Sequence, residues 1–191
     1  NYSGKVMVFD SVMGVLTVAR EIQALAPGIS VTYAADSGFF PYGDKSDEAL
    51  RARLPQVAKA LCDAAQPDVF VIACNTASTL ALEEVRAALE IPVVGTVPAI
   101  KPAAQLTRTG TIGLLATPGT VKRAYTAQLI EDFARDVRVI MHGSVELVRM
   151  AEQIAAGEAL SLDAFRTAQA PLYQSDGGDE LDVVVQACTH F

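Results

Sequence analysis

The sequence alternates short, almost wholly apolar runs with longer stretches of helical spacing, and this alternation limits the fold more than any other feature. The apolar runs predict β-strands at residues 6–9, 31–34, 69–73, 91–95, 111–116, 137–141 and 182–186. Residues 16–25 and 77–89 are predicted helices, another helix begins near Ser46, and Pro98 is expected to open one more. Strands that are apolar throughout indicate parallel sheets covered by helices on both faces. The predicted fold class is therefore α/β, with doubly wound parallel sheets.

Composition argues against several classes of protein. Acidic residues outnumber basic ones by 22 to 15, and the Lys and Arg residues are scattered, so we expect no nucleic-acid partner. No uncharged run is longer than residues 69–82, which contain Asn, Thr and Ser and are fewer than the roughly 20 residues of a membrane-spanning helix. Three cysteines do not make a disulfide framework, and a reducing cytoplasm is the expected compartment.

Small polar residues follow most of the predicted strands. They are Asp10 with Ser11, Asp36, Cys74 with Asn75 and Thr76, Thr96, Thr117, and Cys188 with Thr189 and His190. In doubly wound sheets, ligands bind at the carboxyl ends of the strands. The sequence therefore predicts a small, polar, anionic ligand at these ends.

A weak internal repeat carries the chemistry. Asp68-Val-Phe-Val-Ile-Ala-Cys74 matches Asp182-Val-Val-Val-Gln-Ala-Cys188, and Thr follows each Cys within two residues. Two thiols on opposite sides of one ligand would suit inversion of a stereocentre, which needs a base on one face and an acid on the other. A helix N-terminus after each Cys would favour its thiolate. The alternative for each Cys is a small buried hydrophobe, the commoner role at a strand end, and Cys62 is interpreted as structural.

Other candidate residues admit both a functional and a structural interpretation. Asp10 could tune a thiol or bind an ammonium group, or it could cap the following helix. His190 could act as an acid or base beside Cys188, or lie exposed at a frayed chain end. Glu152 is, on pattern alone, a solvated helix residue, and residues 41–43 have the sequence of a rigid turn. The sequence contains no metal-ligand cluster and no glycine-rich phosphate loop.

Taken together, the motifs resemble those of the glutamate racemase family, in the family's order and over nearly the whole chain. They are Phe9-Asp10-Ser11, Gly14-Val15-Leu16-Thr17-Val18, Ala35-Asp36, Pro41-Tyr42-Gly43-Asp44-Lys45-Ser46, Cys74-Asn75-Thr76-Ala77-Ser78, Val94-Gly95-Thr96-Val97-Pro98-Ala99 and Cys188-Thr189-His190. The pairing of Cys-Asn-Thr with a later Cys-Thr-His is the most specific of these motifs.

The resemblance implies an isomerase that interconverts L- and D-glutamate without a cofactor or a metal and supplies D-glutamate for peptidoglycan. It implies two pseudo-symmetric α/β domains, residues 1–97 and 98–187, with residues 188–191 starting a return to the first domain. Glutamate, the expected partner, would bind in the cleft between the two domains. Family members are often dimers, so a homodimer is a further expectation.

Residue roles also follow from the resemblance. Cys74 and Cys188 would be the two catalytic thiols, with Asp10 assisting the first and Glu152 and His190 assisting the second. The residues expected to contact glutamate are Ser11, Pro41, Tyr42, Gly43, Asn75, Thr76, Thr117, Thr120 and Thr189. Aspartate racemases usually have Glu in place of His190, so His190 favours glutamate over aspartate.

Two departures from the family pattern give further expectations. Val12 and Val15 stand where the family has glycine, so a requirement for positive φ there would distort Asp10 and Ser11. The chain ends at Phe191 where family members continue, so either the sequence is incomplete or the protein is a shortened form. The alternative functions are an aspartate racemase or another member of the superfamily, and an inactive, truncated or degenerate binding protein. A thiol hydrolase is a weaker alternative because it leaves one Cys unexplained.

Overall fold

Within residues 4–191, which the computed structural model describes, seven strands form two separate parallel sheets. The chain divides between the sheets at Val97 and Pro98. Each sheet belongs to its own compact unit, called here unit 1 (up to Val97) and unit 2 (from Pro98 to Phe191). The α/β class and the parallel sheets predicted from the sequence are confirmed.

Unit 1 contains a four-stranded sheet. Its elements are β1 (Lys5–Asp10), α1 (Val15–Leu25), β2 (Ser30–Ala35), α2 (Asp47–Ala65), β3 (Val69–Ile72), α3 (Asn75–Ala88) and β4 (Val93–Gly95), with 3₁₀ turns at Ser37–Phe39 and Tyr42–Asp44. The strand order is β2-β1-β3-β4. One face of the sheet packs through Phe9 and Phe70 on α2 and α3, and the other packs through Val6 and Val8 on α1. Because apolar residues point to both faces, the strands read as continuous apolar runs.

Unit 2 contains a three-stranded sheet. Its elements are α4 (Ile100–Leu106), β5 (Thr111–Ala116), α5 (Pro118–Lys122), α6 (Ala124–Phe133), β6 (Arg138–Gly143), α7 (Val145–Ala155), α8 (Leu162–Gln174), a 3₁₀ turn (Gly178–Glu180) and β7 (Val183–Ala187). The strand order is β6-β5-β7. Ile112 and Leu114 of the central strand β5 lie in the same apolar cluster as residues of α4 and α6. Leu115, which points the other way, packs with residues of α7 and α8.

All seven predicted strands are present, with bounds that differ from the predicted ones by no more than two residues. Two helix starts were predicted wrongly. The helix after Cys74 begins at Asn75, not at residue 77. The helix near Pro98 begins at Ile100, because Ala99 has a non-helical backbone (φ −78°, ψ 53°) and the Ile100 amide donates to the Pro98 carbonyl. This inverse γ-turn geometry leaves Pro98 outside the helix.

Serine side chains fix the starts of three helices. Ser46, Ser144 and Ser161 each accept a hydrogen bond from the backbone amide three residues later, at 3.1–3.2 Å. Such a cap satisfies an amide that has no partner within the helix. The predicted helix start at Ser46 is confirmed.

The sequence repeat corresponds to a structural repeat at the amino ends of β3 and β7. The Asp68 amide donates to the Lys5 carbonyl at the start of β1 (2.8 Å), and the Asp182 amide donates to the Thr111 carbonyl at the start of β5 (3.3 Å). The side chain of each Asp also accepts backbone amides, from Lys5 in unit 1 and from Arg108 in unit 2. Each Asp therefore ties its strand to the beginning of the central strand.

The repeat continues at the carboxyl ends of the central strands. The Asp36 amide donates to the Asp10 carbonyl (3.0 Å), and the Ser144 amide donates to the Ala116 carbonyl (2.8 Å). β3 pairs with β1 as β7 pairs with β5. The strands β2-β1-β3 of unit 1 thus correspond in topology to β6-β5-β7 of unit 2, and unit 1 adds β4. The residue that follows the last Ala of each repeat is a Cys.

The loop between β2 and α2 is fixed to α2 by a buried carboxylate. Asp36 accepts hydrogen bonds from Arg53 Nε and Nη2 (2.6 Å each) and from the Tyr42 hydroxyl (2.8 Å). The Arg53 guanidinium lowers the pKa of Asp36, while burial and then the bond to Asp36 raise the pKa of Tyr42. Arg53 also lies over the Phe39 ring, 4.7 Å from its centre. These contacts hold the loop in one conformation.

Replacing Arg53 with Met should destabilise the fold. The Asp36 side chain is only 7% exposed, so its carboxylate would lose its charged partner in a site with little water. We expect the free energy of unfolding at pH 7, measured with urea, to fall by about 1–3 kcal/mol, because Arg53 is 39% exposed and water can partly replace it. Since the folded-state pKa of Asp36 is lowered, this contribution is present above the ordinary Asp pKa near 4 and is lost as pH falls through the folded-state value.

Arg51→Met is the matched control for this prediction. Arg51 lies on the same helix and pairs with Glu84 at the surface. Exposed ion pairs contribute roughly 0–1 kcal/mol, so this variant should unfold close to the parent. An equal decrease in the free energy of unfolding in the two variants would contradict the role given to Asp36.

Asp182→Asn should lower the urea midpoint at pH 7. Asp182 accepts hydrogen bonds from the Thr107 hydroxyl (2.6 Å) and from the amides of Arg108 and Thr109 (2.6 and 3.2 Å). These bonds, the one from Thr107 foremost, lower its pKa to about 2. The carboxylate therefore stabilises the fold above about pH 4. The difference in urea midpoint between variant and parent should become smaller as pH falls toward 2. A difference that is independent of pH would contradict this role.

Candidate active site

In unit 1, candidate catalytic residues meet at two neighbouring strand ends. Asp10 is the last residue of β1, and Cys74 lies two residues beyond β3. Phe9 pairs with Ile72, and the Ala73 amide donates to the Phe9 carbonyl at 2.7 Å. This register carries Asp10 and Cys74 to the same edge of the sheet, where both are buried (0% and 7% exposed). The edge is the one at which α/β proteins bind ligands.

Cys74 occupies the N-cap position of α3. Asn75 and Thr76 form the first turn of this helix and are both buried. A helix N-terminus presents backbone N–H groups and a partial positive charge, which stabilise a thiolate or a bound carboxylate. The predicted helix N-terminus after the first Cys is confirmed.

Asp10 does not cap the helix that follows it. The cap position of α1 is Gly14, with no side-chain hydrogen bond, so the capping interpretation is wrong. Asp10 Oδ1 instead accepts hydrogen bonds from the Ser11 amide (2.5 Å) and hydroxyl (3.2 Å). These bonds hold a buried carboxylate at the strand ends of unit 1.

The two valines in this loop do not strain it. Among the described residues, Gln66 is the non-glycine residue with positive φ, so neither Val12 nor Val15 adopts the conformation that glycine favours. Val15 is buried against β1 in the α1 cluster. The expected backbone distortion at Asp10 and Ser11 is therefore not found.

The turn at residues 41–43 uses its tyrosine as an anchor. The Tyr42 side chain is 2% exposed, packs near the rings of Phe9 and Phe39, and donates its hydroxyl to Asp36. The Tyr42 hydroxyl therefore already donates its hydrogen to a group of the protein. The backbone of Tyr42 and Gly43 remains the means by which this turn could contact a ligand.

In unit 2, three candidate residues form a chain of contacts. Cys188 follows β7 directly, and its Sγ lies 3.5 Å from His190 Nδ1. His190 Nε2 lies 2.8 Å from Glu152 Oε1 on α7. The His190 side chain is 4% exposed and that of Glu152 is 22% exposed. Two structural interpretations are therefore wrong: His190 is not exposed at a frayed end, and Glu152 is not a solvated helix charge.

The two cysteines lead into different local structures. Cys188 enters a turn, in which the Phe191 amide donates to the Cys188 carbonyl (3.2 Å). Of the helix N-termini expected after each Cys, the one at Cys74 is confirmed, and the one after Cys188 stays a prediction. Cys188 has an imidazole and a carboxylate where Cys74 has a helix N-terminus and Asp10.

The threonines after β5 are held by the turn that they form. Thr117 is the N-cap of α5, where its Oγ1 accepts from the Thr120 amide (3.4 Å) and donates to Thr120 Oγ1 (3.3 Å). Both threonines are buried, and Thr189 beside Cys188 is half-buried. Small hydroxyl groups thus stand at the strand ends of unit 2, as Ser11 and Thr76 do in unit 1.

Sequence reasoning gave no role to two residues that hold the unit 1 site. Asp36 was identified at a strand end, but its partner Arg53 lies on the next helix. Ser78 accepts from the Thr96 amide (3.0 Å) and donates to the Ile72 carbonyl (3.2 Å), which joins the ends of β3 and β4. Thr96, the polar residue that follows β4, was the sequence feature that could have indicated this hydrogen-bonded link.

The described residues contain neither a metal-binding cluster nor a membrane-spanning helix. No group of three or more His, Cys, Asp or Glu side chains among residues 4–191 is arranged to hold a metal ion. In the same part of the chain, no helix has both the length and the apolar character needed to cross a membrane.

Comparison with known proteins places this geometry in a family. Residues 15–191 match the model of the Asp/Glu/Hydantoin racemase family. A glutamate racemase of Sphingopyxis alaskensis is 48% identical over 186 residues, which are 97% of this chain and 69% of the relative. One from Pasteurella multocida is 48% identical over 190 residues, which are 100% of this chain and 70% of the relative.

Solved structures agree with the sequence comparison. Escherichia coli glutamate racemase, in complex with L-glutamate and the activator UDP-MurNAc-Ala, has a TM-score of 0.90 and 44% identity, covering 100% of this chain and 71% of that one. An aspartate racemase homologue from Pyrococcus horikoshii has a TM-score of 0.52 at 18% identity over 97% of this chain and 85% of that one, which shows a common fold alone. By sequence and by structure, the chain belongs to the glutamate racemases, within the Asp/Glu/Hydantoin racemase family.

Proposed function

We propose that the protein interconverts L- and D-glutamate by moving the Cα proton between Cys74 and Cys188. The observation that carries this proposal is that the two thiols occupy matching positions after corresponding strands of the two units, each with its own titratable neighbours. An arrangement of this kind suits two opposed acid/base groups rather than a nucleophile with one helper.

The proposed reaction is a two-base transfer. One thiolate takes the Cα proton, so a C–H bond breaks and an S–H bond forms while the electron pair stays on the substrate. The opposite thiol then gives its proton to the other face of the planar carbanion and becomes a thiolate. Proton exchange with water resets the pair, so no oxidant, reductant or leaving group is needed.

Stabilisation of the carbanion must come from fixed dipoles of the protein. The N-terminus of α3 supplies N–H groups beside Cys74, where negative charge on the substrate carboxylate would be bound. Asp10 is proposed to assist proton transfer at Cys74, and Glu152 through His190 is proposed to assist it at Cys188. The preorganised N–H groups of a helix N-terminus stabilise developing negative charge more than solvent does.

Glutamate binding is proposed to use the small polar groups at the strand ends. Support comes from their burial, their short side chains and their position at the ligand-binding edge of parallel sheets. The proposed contacts are Ser11, Pro41, Tyr42, Gly43, Asn75, Thr76, Thr117, Thr120 and Thr189, with Tyr42 acting through its backbone. Residues 1–97 and 98–187 would be the two domains, and they would carry all of these contacts except Thr189, which lies in residues 188–191.

Relatives support glutamate rather than aspartate as the substrate. Related enzymes have been solved with L-glutamate (Escherichia coli) and with D-glutamate (Francisella tularensis). The proposed physiological product is D-glutamate for peptidoglycan.

Single replacement of either catalytic Cys should abolish racemisation. We expect Cys74→Ser and Cys188→Ser to lower the rate with each enantiomer by at least roughly 100-fold, because a hydroxyl is a far weaker acid than a thiol. Chiral chromatography of the product measures this loss. Cys62→Ser is the matched control, since Cys62 lies on α2 and burial raises the pKa of its thiol. Racemisation that survives in a Cys74 variant would refute the two-thiol mechanism.

Deuterium labelling tests the number of bases. In D₂O, initial product should carry deuterium at Cα, whereas the remaining substrate should keep its proton, as followed by proton NMR. This outcome is expected because the thiol that protonates the product carries a solvent deuteron, not the proton just removed. Product that retains the original proton would indicate a single base.

His190→Asn should slow proton transfer at Cys188 selectively. We expect kcat to fall by roughly 100-fold with little change in KM, because the imidazole assists the thiol rather than binding the substrate. The Cα-deuterium isotope effect should rise for one enantiomer only, the one that Cys188 deprotonates. His142→Asn is the control, because His142 is half-buried in the same unit and contacts the Ala168 carbonyl (2.8 Å). An isotope effect that rises equally for the two enantiomers would argue against this assignment.

A further inference from the structure

Thr117 and Thr120 belong to a turn that consists of a very short helix, α5, and its N-cap. α5 contains only five residues, and Arg123 ends it with an extended backbone (φ −70°, ψ 139°) before α6 begins at Ala124. A helix of this length has few internal hydrogen bonds and gains little stability from them. The geometry of the turn therefore depends on contacts from outside α5.

One such contact comes from α6. Thr126 Oγ1 donates to the Thr120 carbonyl at 2.6 Å. The side chain of Thr126 and the whole of Thr120 are fully buried. This hydroxyl is therefore not exposed at a surface where it could bind a ligand directly.

The break in the helix explains why the contact is needed. In a continuous helix, the Thr120 carbonyl would accept from the amide four residues later. Here it accepts a long bond from the Arg123 amide (3.4 Å) and a short one from the Thr126 hydroxyl (2.6 Å). A buried carbonyl without a good partner is costly, so the hydroxyl of Thr126 replaces the missing helical donor.

A glycine confines the turn from the other side. A Cβ on Gly143, at the end of β6, would lie 2.7 Å from Pro118 Cα. The turn thus packs directly on the backbone of β6, and Thr126 holds it from α6. Little room is left for the turn to shift without losing one of these contacts.

We propose that Thr126 is a positioning residue for glutamate binding, acting through the Thr120 carbonyl on the hydroxyls of Thr117 and Thr120. The inference rests on the proposed function, in which those hydroxyls contact the substrate. Loss of the Thr126 hydroxyl should let the turn relax and misplace them. The defect should lie in substrate binding, because the Thr126 hydroxyl is bonded to the turn and acts on the groups that the turn carries.

Kinetics of three Thr126 variants test the proposal. Thr126→Val and Thr126→Ala remove the donor, and Thr126→Ser keeps it. We expect KM for both enantiomers to rise roughly 3- to 10-fold in the first two variants, with kcat changed less than about twofold, the effect of one lost hydrogen bond. Thr126→Ser should have a KM close to that of the parent. Thr126→Ala is included because the methyl of Val would crowd the carbonyl.

Thr111→Val is the matched control. Thr111 is a buried threonine at the opposite end of the same sheet, at the start of β5. A purely structural role for Thr126 would lower the urea midpoint and the fraction of active protein while leaving KM unchanged, and that result would overturn the proposal. So would a raised KM in Thr126→Ser equal to that in Thr126→Ala.

An activity assay of the parent protein, without substitutions, distinguishes a failure of this inference from a failure of the proposed function. A folded parent protein that does not racemise glutamate would refute the proposed function itself. A parent that racemises glutamate, with an unchanged KM in Thr126→Ala, would refute only the role of Thr126.

Discussion

The parallel pairing of β3 with β1 and of β7 with β5 is the constraint on which both halves of the site depend. Parallel strands end at the same edge of a sheet, so pairing brings the residue after one strand beside the residue after its neighbour. In unit 1 this places Asp10 and Cys74 at one edge. In unit 2 it places Thr117 and Cys188 at one edge. A shift of register by one residue would separate either pair and turn its strand over.

The two units supply different chemistry at corresponding positions. Asp10, the last residue of β1, corresponds to Ala116 at the end of β5, so unit 2 has no carboxylate there. Its carboxylate comes instead from Glu152 on α7, through His190. Cys74 also lies at the N-cap of a helix, and Cys188 lies beside an imidazole. The repeat thus fixed the backbone, while the groups around each thiol became different.

Local patterns predicted the fold well because the inner strands β1, β3 and β5 are largely apolar and are buried along most of their length. The site was harder to predict, because its contacts join distant parts of the chain. Glu152 reaches His190 from a separate helix, and its own surroundings in the sequence are those of a solvated charge. Asp10 resembles a helix cap in the sequence, but α1 starts only at Val15. The Asp10 carboxylate accepts a hydrogen bond from the Ser11 amide instead of capping α1. Resemblance to a family supplied these two roles, and periodicity could not.

Thermodynamics limits the effect that the unequal surroundings of the two thiols can have on the rates in the two directions. L- and D-glutamate have the same free energy in water, so the equilibrium constant of the proposed reaction is one. The ratio kcat/KM must then be equal in the two directions, whatever groups assist each thiol. The histidine and carboxylate at Cys188 can change how tightly one enantiomer is held and how fast it reacts, but only together. Asymmetry in the structure therefore cannot shift the equilibrium toward either enantiomer. Net flow must come from processes that supply one enantiomer or consume the other.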